Sequence, residues 1–220
     1  MTPRNRGRLI GAILLLAGTA SAQLEIPTVW TIEPAYDYEF SVLMMPDGSG
    51  PALTEARGPG GVVVDAAITV RIGSNFGYVI QGFPPEDLWF QLAVEPGTAA
   101  GCLQYPDCPG GVFLPDGPTD ADGYTTFSQP WRGGGWSAGP ATLYINGWPA
   151  TDMNLDPHDP VPFRANSPDL NGDLVVNLTD IVLFIQDLDG GAYRSDFNWD
   201  GHVNLSDMVT MAQAMGMACE

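Results

Sequence analysis

Asp169-Leu-Asn-Gly-Asp-Leu-Val-Val-Asn-Leu-Thr-Asp180 and Asp196-Phe-Asn-Trp-Asp-Gly-His-Val-Asn-Leu-Ser-Asp207 are one phrase written twice, and the end of the chain takes its fold from it. In both copies, oxygen-bearing side chains stand at loop positions 1, 3, 5, 9 and 12. Calcium takes about six to eight oxygens at about 2.3–2.6 Å, which a loop of about 12 residues supplies from side chains at 1, 3 and 5, a backbone carbonyl at 7 and a carboxylate at 12. The first loop therefore offers Asp169, Asn171, Asp173, the carbonyl of Val175 and Asp180. The second offers Asp196, Asn198, Asp200, the carbonyl of His202 and Asp207. Asn177 and Asn204, at position 9, bind directly or through water. Plain turns also use Asp, Asn and Gly, but two loops in one register, each before an apolar run, predict two calcium ions.

Each loop is expected to open a short helix. Ile181, Phe184, Ile185 and Leu188 share one helical face, as do Met208, Met211, Ala212 and Met215. Gly190-Gly191 and Gly216 are the expected stops. Such helices are marginal alone in water, so the ions and a shared apolar seam, with Val176 and Val203 packing the loops together, must hold them. Position 6 normally requires glycine. Gly201 supplies it in the second copy and Leu174 does not in the first, where left-handed geometry costs about 1–2 kcal/mol. The first loop is then either the weaker site or turns at Gly172 instead.

The segment 167–220 resembles a type I dockerin, a tandem of Asp-x-Asn-x-Asp-Gly-x-Val-Asn-x-x-Asp loop–helix units that lacks the entering helix of an EF-hand. Asp at position 12 and the missing helical pattern before Asp169 favour that family. The resemblance implies a plug for a cohesin-like module or another cell-surface protein. The family's contact positions fall on Leu178-Thr179 and Leu205-Ser206, which match between copies as a two-fold binding mode requires.

Residues 1–22 read as a cleaved signal peptide. Arg4, Arg6 and Arg8 precede the apolar run Leu9 to Leu16, and Ala20-Ser21-Ala22 forms a small-residue cleavage site. The run is too short for a membrane span, and no other stretch suffices. The expected location is secreted, periplasmic or cell-surface. Every basic residue is an arginine, and losing three moves the net charge from −18 to −21. Such a chain does not seek nucleic acid or anionic lipid.

Residues 23–156 read as short strands between Gly/Pro turns. Val29 to Leu43 holds one or two strands, ended by Pro46 to Gly50. Val62 to Ile72 alternates at period two, and Tyr78-Val79-Ile80, Asp87 to Val94, Tyr124 to Phe127 and Ala141 to Asn146 follow. Thr119-Asp-Ala-Asp-Gly-Tyr-Thr-Thr-Phe127 resembles a turn of bacterial immunoglobulin-like domains, including invasin-type ones. The predicted fold class is mainly β: an antiparallel immunoglobulin-like β-sandwich, a Pro-rich linker at 157–166, and a small all-α dockerin-like calcium module. In an exported chain Cys102 and Cys108 are expected to form a local disulfide, with a metal or redox site as the alternative. Cys219 is left over, as a free or an intermolecular thiol. Trp131, Trp136 and Trp148 are expected to pack in the core or loops rather than stack on sugars.

Catalytic sets are missing from the sequence. Of two histidines, His158 lies in the linker and His202 occupies loop position 7. One Gly-x-Ser-x-Gly string stands at Gly135-Trp136-Ser137-Ala138-Gly139, with neither of the two histidines near it in sequence, and no His-Glu-x-x-His or phosphate-cradling glycine loop occurs. The expectation is a non-catalytic exported protein that docks through its C-terminal module. The alternative is a carbohydrate-binding or glycoside-hydrolase component of a polysaccharide-degrading assembly, whose paired carboxylates would show only in space.

Overall fold

Alternating apolar residues become strands from Pro27 onward in the computed structural model, which describes residues 26–92, 113–150, 161 and 163–219. Strand β1 (Pro27–Pro34) pairs antiparallel with β5 (Ile68–Ser74), which pairs on its other side with β7 (Tyr124–Phe127). A second antiparallel sheet runs β6 (Leu88–Leu92), β8 (Ala141–Ile145), β9 (Trp148–Pro149). Its tight hairpin turns on Asn146 and Gly147, at φ 51° and 82°, the left-handed pair that a two-residue loop requires. The third sheet has the order β10-β2-β3-β4, from β2 (Phe40–Leu43), β3 (Ala56–Arg57), β4 (Val63–Val64) and β10 (Phe163–Asn166).

One aromatic core joins the three sheets. Phe90 of β6 meets Phe127 of β7 at 4.7 Å between centroids and Phe163 of β10 at 6.0 Å. Phe163 stacks on Phe40 of β2 and meets Trp131 edge-on. Ile68, Val70 and Ile72 enter the same core from β5. Trp131 is buried, as expected, whereas Trp148 at the hairpin is 76% exposed.

The predicted fold class needs correction. The chain is mainly β, but the described residues form three sheets of three, four and three strands and not one antiparallel sandwich. β10 pairs with β2 in parallel, and its residues Phe163–Asn166 fall in the stretch read as linker. Four residues between prolines are too few to display a period. The C-terminal part is not an all-α module either. Its only α-helices among the described residues are α1 (Leu178–Asp187) and α2 (Leu205–Ala214), of ten residues each. They bury too little apolar surface to close a core, so Met45 of the β part is buried with Phe184, Phe197 and Met211.

The run Val62 to Ile72 also divides, because Asp65 accepts the amide of Ala67 in an Asx turn between β4 and β5. Asp120 similarly accepts the amides of Asp122 and Tyr124, forming the turn before β7. Residues 1–22, the strand end at 93–94, Cys102, Cys108 and His158 lie outside the described residues. No helix among the described residues is long and apolar enough to cross a membrane.

Candidate functional site

The two acidic loops share most of their hydrogen bonds. At position 1, Asp169 accepts the amides of Gly172, Asp173 and Leu174, the last at 2.7 Å, and Asp196 accepts those of Asp200 and Gly201. At position 12, Asp180 accepts the amides of Asn171 and Asn177, and Asp207 those of Phe197, Asn198 and Asn204. Asn177 and Asn204 cap α1 and α2, and with Asp180 and Asp207 they complete two capping boxes. Position 12 therefore ties each loop to the start of its helix.

Polar atoms at positions 3, 5, 7 and 9 converge as well. The side-chain amides of Asn198 and Asn204 both donate to Asp200 Oδ2, at 3.0 and 3.3 Å, and Asn204 also reaches the carbonyl of His202. In the first loop Asn171 donates to Asp173, and Asn177 to the carbonyl of Val175. Among the described residues no three His, Cys, Asp or Glu side chains gather into a group that could hold a metal. Each loop instead mixes carboxylate, amide and carbonyl groups. Burial, with the charges of Asp180 and Asp173 adding to it, pushes the Asp169 carboxyl up to about 6 against the hydrogen bonds of its own loop. Burial and the charges of Asp207 and Asp200 also raise Asp196. These are acidic groups in mutual repulsion, the condition that a bound cation relieves.

Both loops turn left-handed at positions 4 and 6, and each has one glycine for the two places. Gly172 and Leu174 lie at φ 71° and 67°, and Trp199 and Gly201 at 53° and 92°. The alternatives left open by the sequence are thereby joined: the first loop uses Gly172 and bends at Leu174 too.

The two loop–helix units clasp one another. The amide of Val176 donates to Met217 past α2, and the amide of Gly216 returns to Val176. Val203 likewise exchanges bonds with Gly190 and Asp189 past α1. Val176 and Val203 are buried in the same cluster. The expected helix faces are corrected in part. Phe184 and Met211 are buried and Ile181 and Leu188 partly so, but Ile185, Met208, Ala212 and Met215 are exposed, while Asp180, Asp207 and Ala214 are buried. What remains outside is an apolar stripe in matching register: Leu178 and Val182 are 72% and 56% exposed, Leu205 and Val209 72% and 51%. Thr179 and Ser206 lie beside it, also exposed.

Sequence reading missed the residues that carry these loops. Gly135 donates its amide to the carbonyl of Asp169 at 2.6 Å, and Ser167 Oγ donates to the carbonyl of Gly133. A Cβ at Gly134 would collide with the Asp169 carboxylate. Asn166, fully buried at the end of β10, donates to the carbonyls of Tyr193 and Asp196, at 3.0 and 2.8 Å. Arg164 pairs with Glu39 and lies over Tyr193 and Trp199. The run Gly133-Gly134-Gly135 was the available signal, since consecutive glycines mark close backbone approach. Cys219, expected as a free or an intermolecular thiol, is disulfide-bonded instead.

No protein-family model and no curated protein matches the chain. Among solved structures, a type II cohesin–X–dockerin complex from Acetivibrio cellulolyticus, an N-terminal interface mutant, is similar at a TM-score of 0.23 and 17% identity, over 63% of this chain and 95% of that one. A likeness at that level carries no argument about fold or function.

Proposed function

We propose that this is an exported, non-catalytic protein that docks to a protein partner through its calcium-stabilised C-terminal loop–helix pair. The observation that carries the reading is the apolar stripe repeated on α1 and α2, which stands open to solvent on a strongly acidic chain. Exposed apolar patches rimmed by polar residues mark interaction sites. Leu178-Thr179 and Leu205-Ser206 fall at its head, where the resemblance to dockerins puts partner contacts, and a cohesin-like module is the partner of that type.

Two calcium ions would be held by Asp169, Asn171, Asp173, Asp180 and the Val175 carbonyl, and by Asp196, Asn198, Asp200, Asp207 and the His202 carbonyl. Bound there, each ion would offset the repulsion among carboxylates that the loop's own amides balance only in part. The meeting of Asn198, Asp200, Asn204 and the His202 carbonyl in the second loop supports this set there. The test is capture of the full chain on immobilised cohesin modules, with calcium and with chelator. Calcium-dependent capture is the expected result, and no capture in either buffer removes the docking reading.

A second reading, carbohydrate binding by the β part, draws on Trp148, which rises beside a cleft of about 240 Å³ lined by Val29, Ile145 and Asn146. Glycan-array binding lost in Trp148→Ala would favour it.

A further inference from the structure

We infer that Gly134 and Asn166, both outside the loops, are positioning residues for the two cation sites, so that the β part sets the affinity of each. The inference rests on the calcium reading above and extends it to residues that no loop motif contains.

At position 1 the aspartate's side chain gathers its loop's amides, while its own carbonyl is open to donors from outside the loop, although Asp196 O also accepts the amide of Trp199. In both copies that carbonyl accepts a hydrogen bond from the β part. Gly135 N–H donates to Asp169 O, and Asn166 Nδ2 donates to Asp196 O. The two arrangements use different chemistry for one purpose. At the first loop, three glycines let the backbone run against the carboxylate itself, leaving no volume for a methyl group at Gly134. At the second, a single buried amide spans Tyr193 O and Asp196 O. Asn166 is itself fixed by the main chain, because its carbonyl accepts the amide of Met44 and its strand lies parallel to β2. A shift in either support moves the position-1 carboxylate, the group on which the amides of positions 5 and 6 converge. Groups that orient metal ligands typically change affinity about 10- to 100-fold when altered.

Calorimetric titration of the full chain with calcium tests this. The wild type should take up two ions. Gly134→Ala should weaken one of them by at least about 10-fold and leave the other near its wild-type affinity. Asn166→Leu should weaken the other ion instead, and it carries the test alone if Gly134→Ala does not fold. Gly117→Ala, where an added methyl meets nothing, should leave both ions unchanged. A folded Gly134→Ala or Asn166→Leu chain that binds both ions as the wild type does overturns the inference. So does equal weakening of both ions, which would mark general destabilisation. A wild type that takes up no calcium overturns the calcium reading itself.

Discussion

At the scale of single residues, Asp169 has the sharpest consequence. It is fully buried, and burial beside Asp180 and Asp173 raises its carboxyl to about 6. A group with a raised folded pKa favours the fold when protonated. In calcium-free buffer its contribution is thus complete below about pH 4 and is lost as pH rises through about 6, on the order of 2–3 kcal/mol. Urea unfolding of wild type and Asp169→Asn in chelator should show the wild type losing stability relative to the variant between about pH 4 and pH 7. Calcium added at neutral pH should restore the wild type and not the variant. Parallel curves for the two chains would contradict the assignment. Leu174 offers a second case. Its φ of 67° is strained by about 1–2 kcal/mol, partly offset in Leu174→Gly by about 0.5–1 kcal/mol of glycine entropy. The urea midpoint of Leu174→Gly should rise by an amount worth up to about 1 kcal/mol. Trp199→Gly should not gain equally, since the indole also packs under Arg164.

At the scale of elements, the helices keep two faces with different duties. Phe184 and Met211 close the shared core, and Phe184 lies parallel to Phe197 at 5.9 Å. Phe184→Ala should therefore cost about 3–5 kcal/mol in thermal or urea unfolding. Val182 and Val209 face solvent, so glutamate there should change stability by less than about 0.5 kcal/mol. The double substitution Val182→Glu with Val209→Glu should nevertheless remove calcium-dependent capture by a cohesin module. Each single change should leave the other copy of the stripe usable. Loss of capture together with loss of the thermal transition would assign these valines to folding and not to docking.

At the scale of the whole molecule, Phe163 is the joint. It touches Phe40, Phe90 and Trp131 on strand β10, and three residues later the same strand presents Asn166 to the second loop. Phe163→Ala should lower the thermal midpoint by an amount worth about 3–5 kcal/mol. It should also weaken calcium binding in the full chain, because the core and the loop support share that strand. Unchanged calcium affinity in a destabilised Phe163→Ala chain would show that the two are uncoupled.

Much of the local structure was legible in the residues themselves. The side-chain-to-amide bonds inside the loops 169–180 and 196–207, the Asn caps, the Asp120 turn and the period-two strands all form between groups close in sequence. Their pattern is therefore written in spacing. The parallel pairing of β10 with β2, the third sheet, the exposure of Ile185 and the carriage of the loops by Gly134 and Asn166 were not legible. Each joins groups distant along the chain, and no local period encodes which distant backbone will supply a missing hydrogen bond or cover a short helix. The sequence alone determined two acidic loops, each with its helix. Only the tertiary structure decided that they are built into the β part, because ten-residue helices cannot bury enough apolar surface to stand apart.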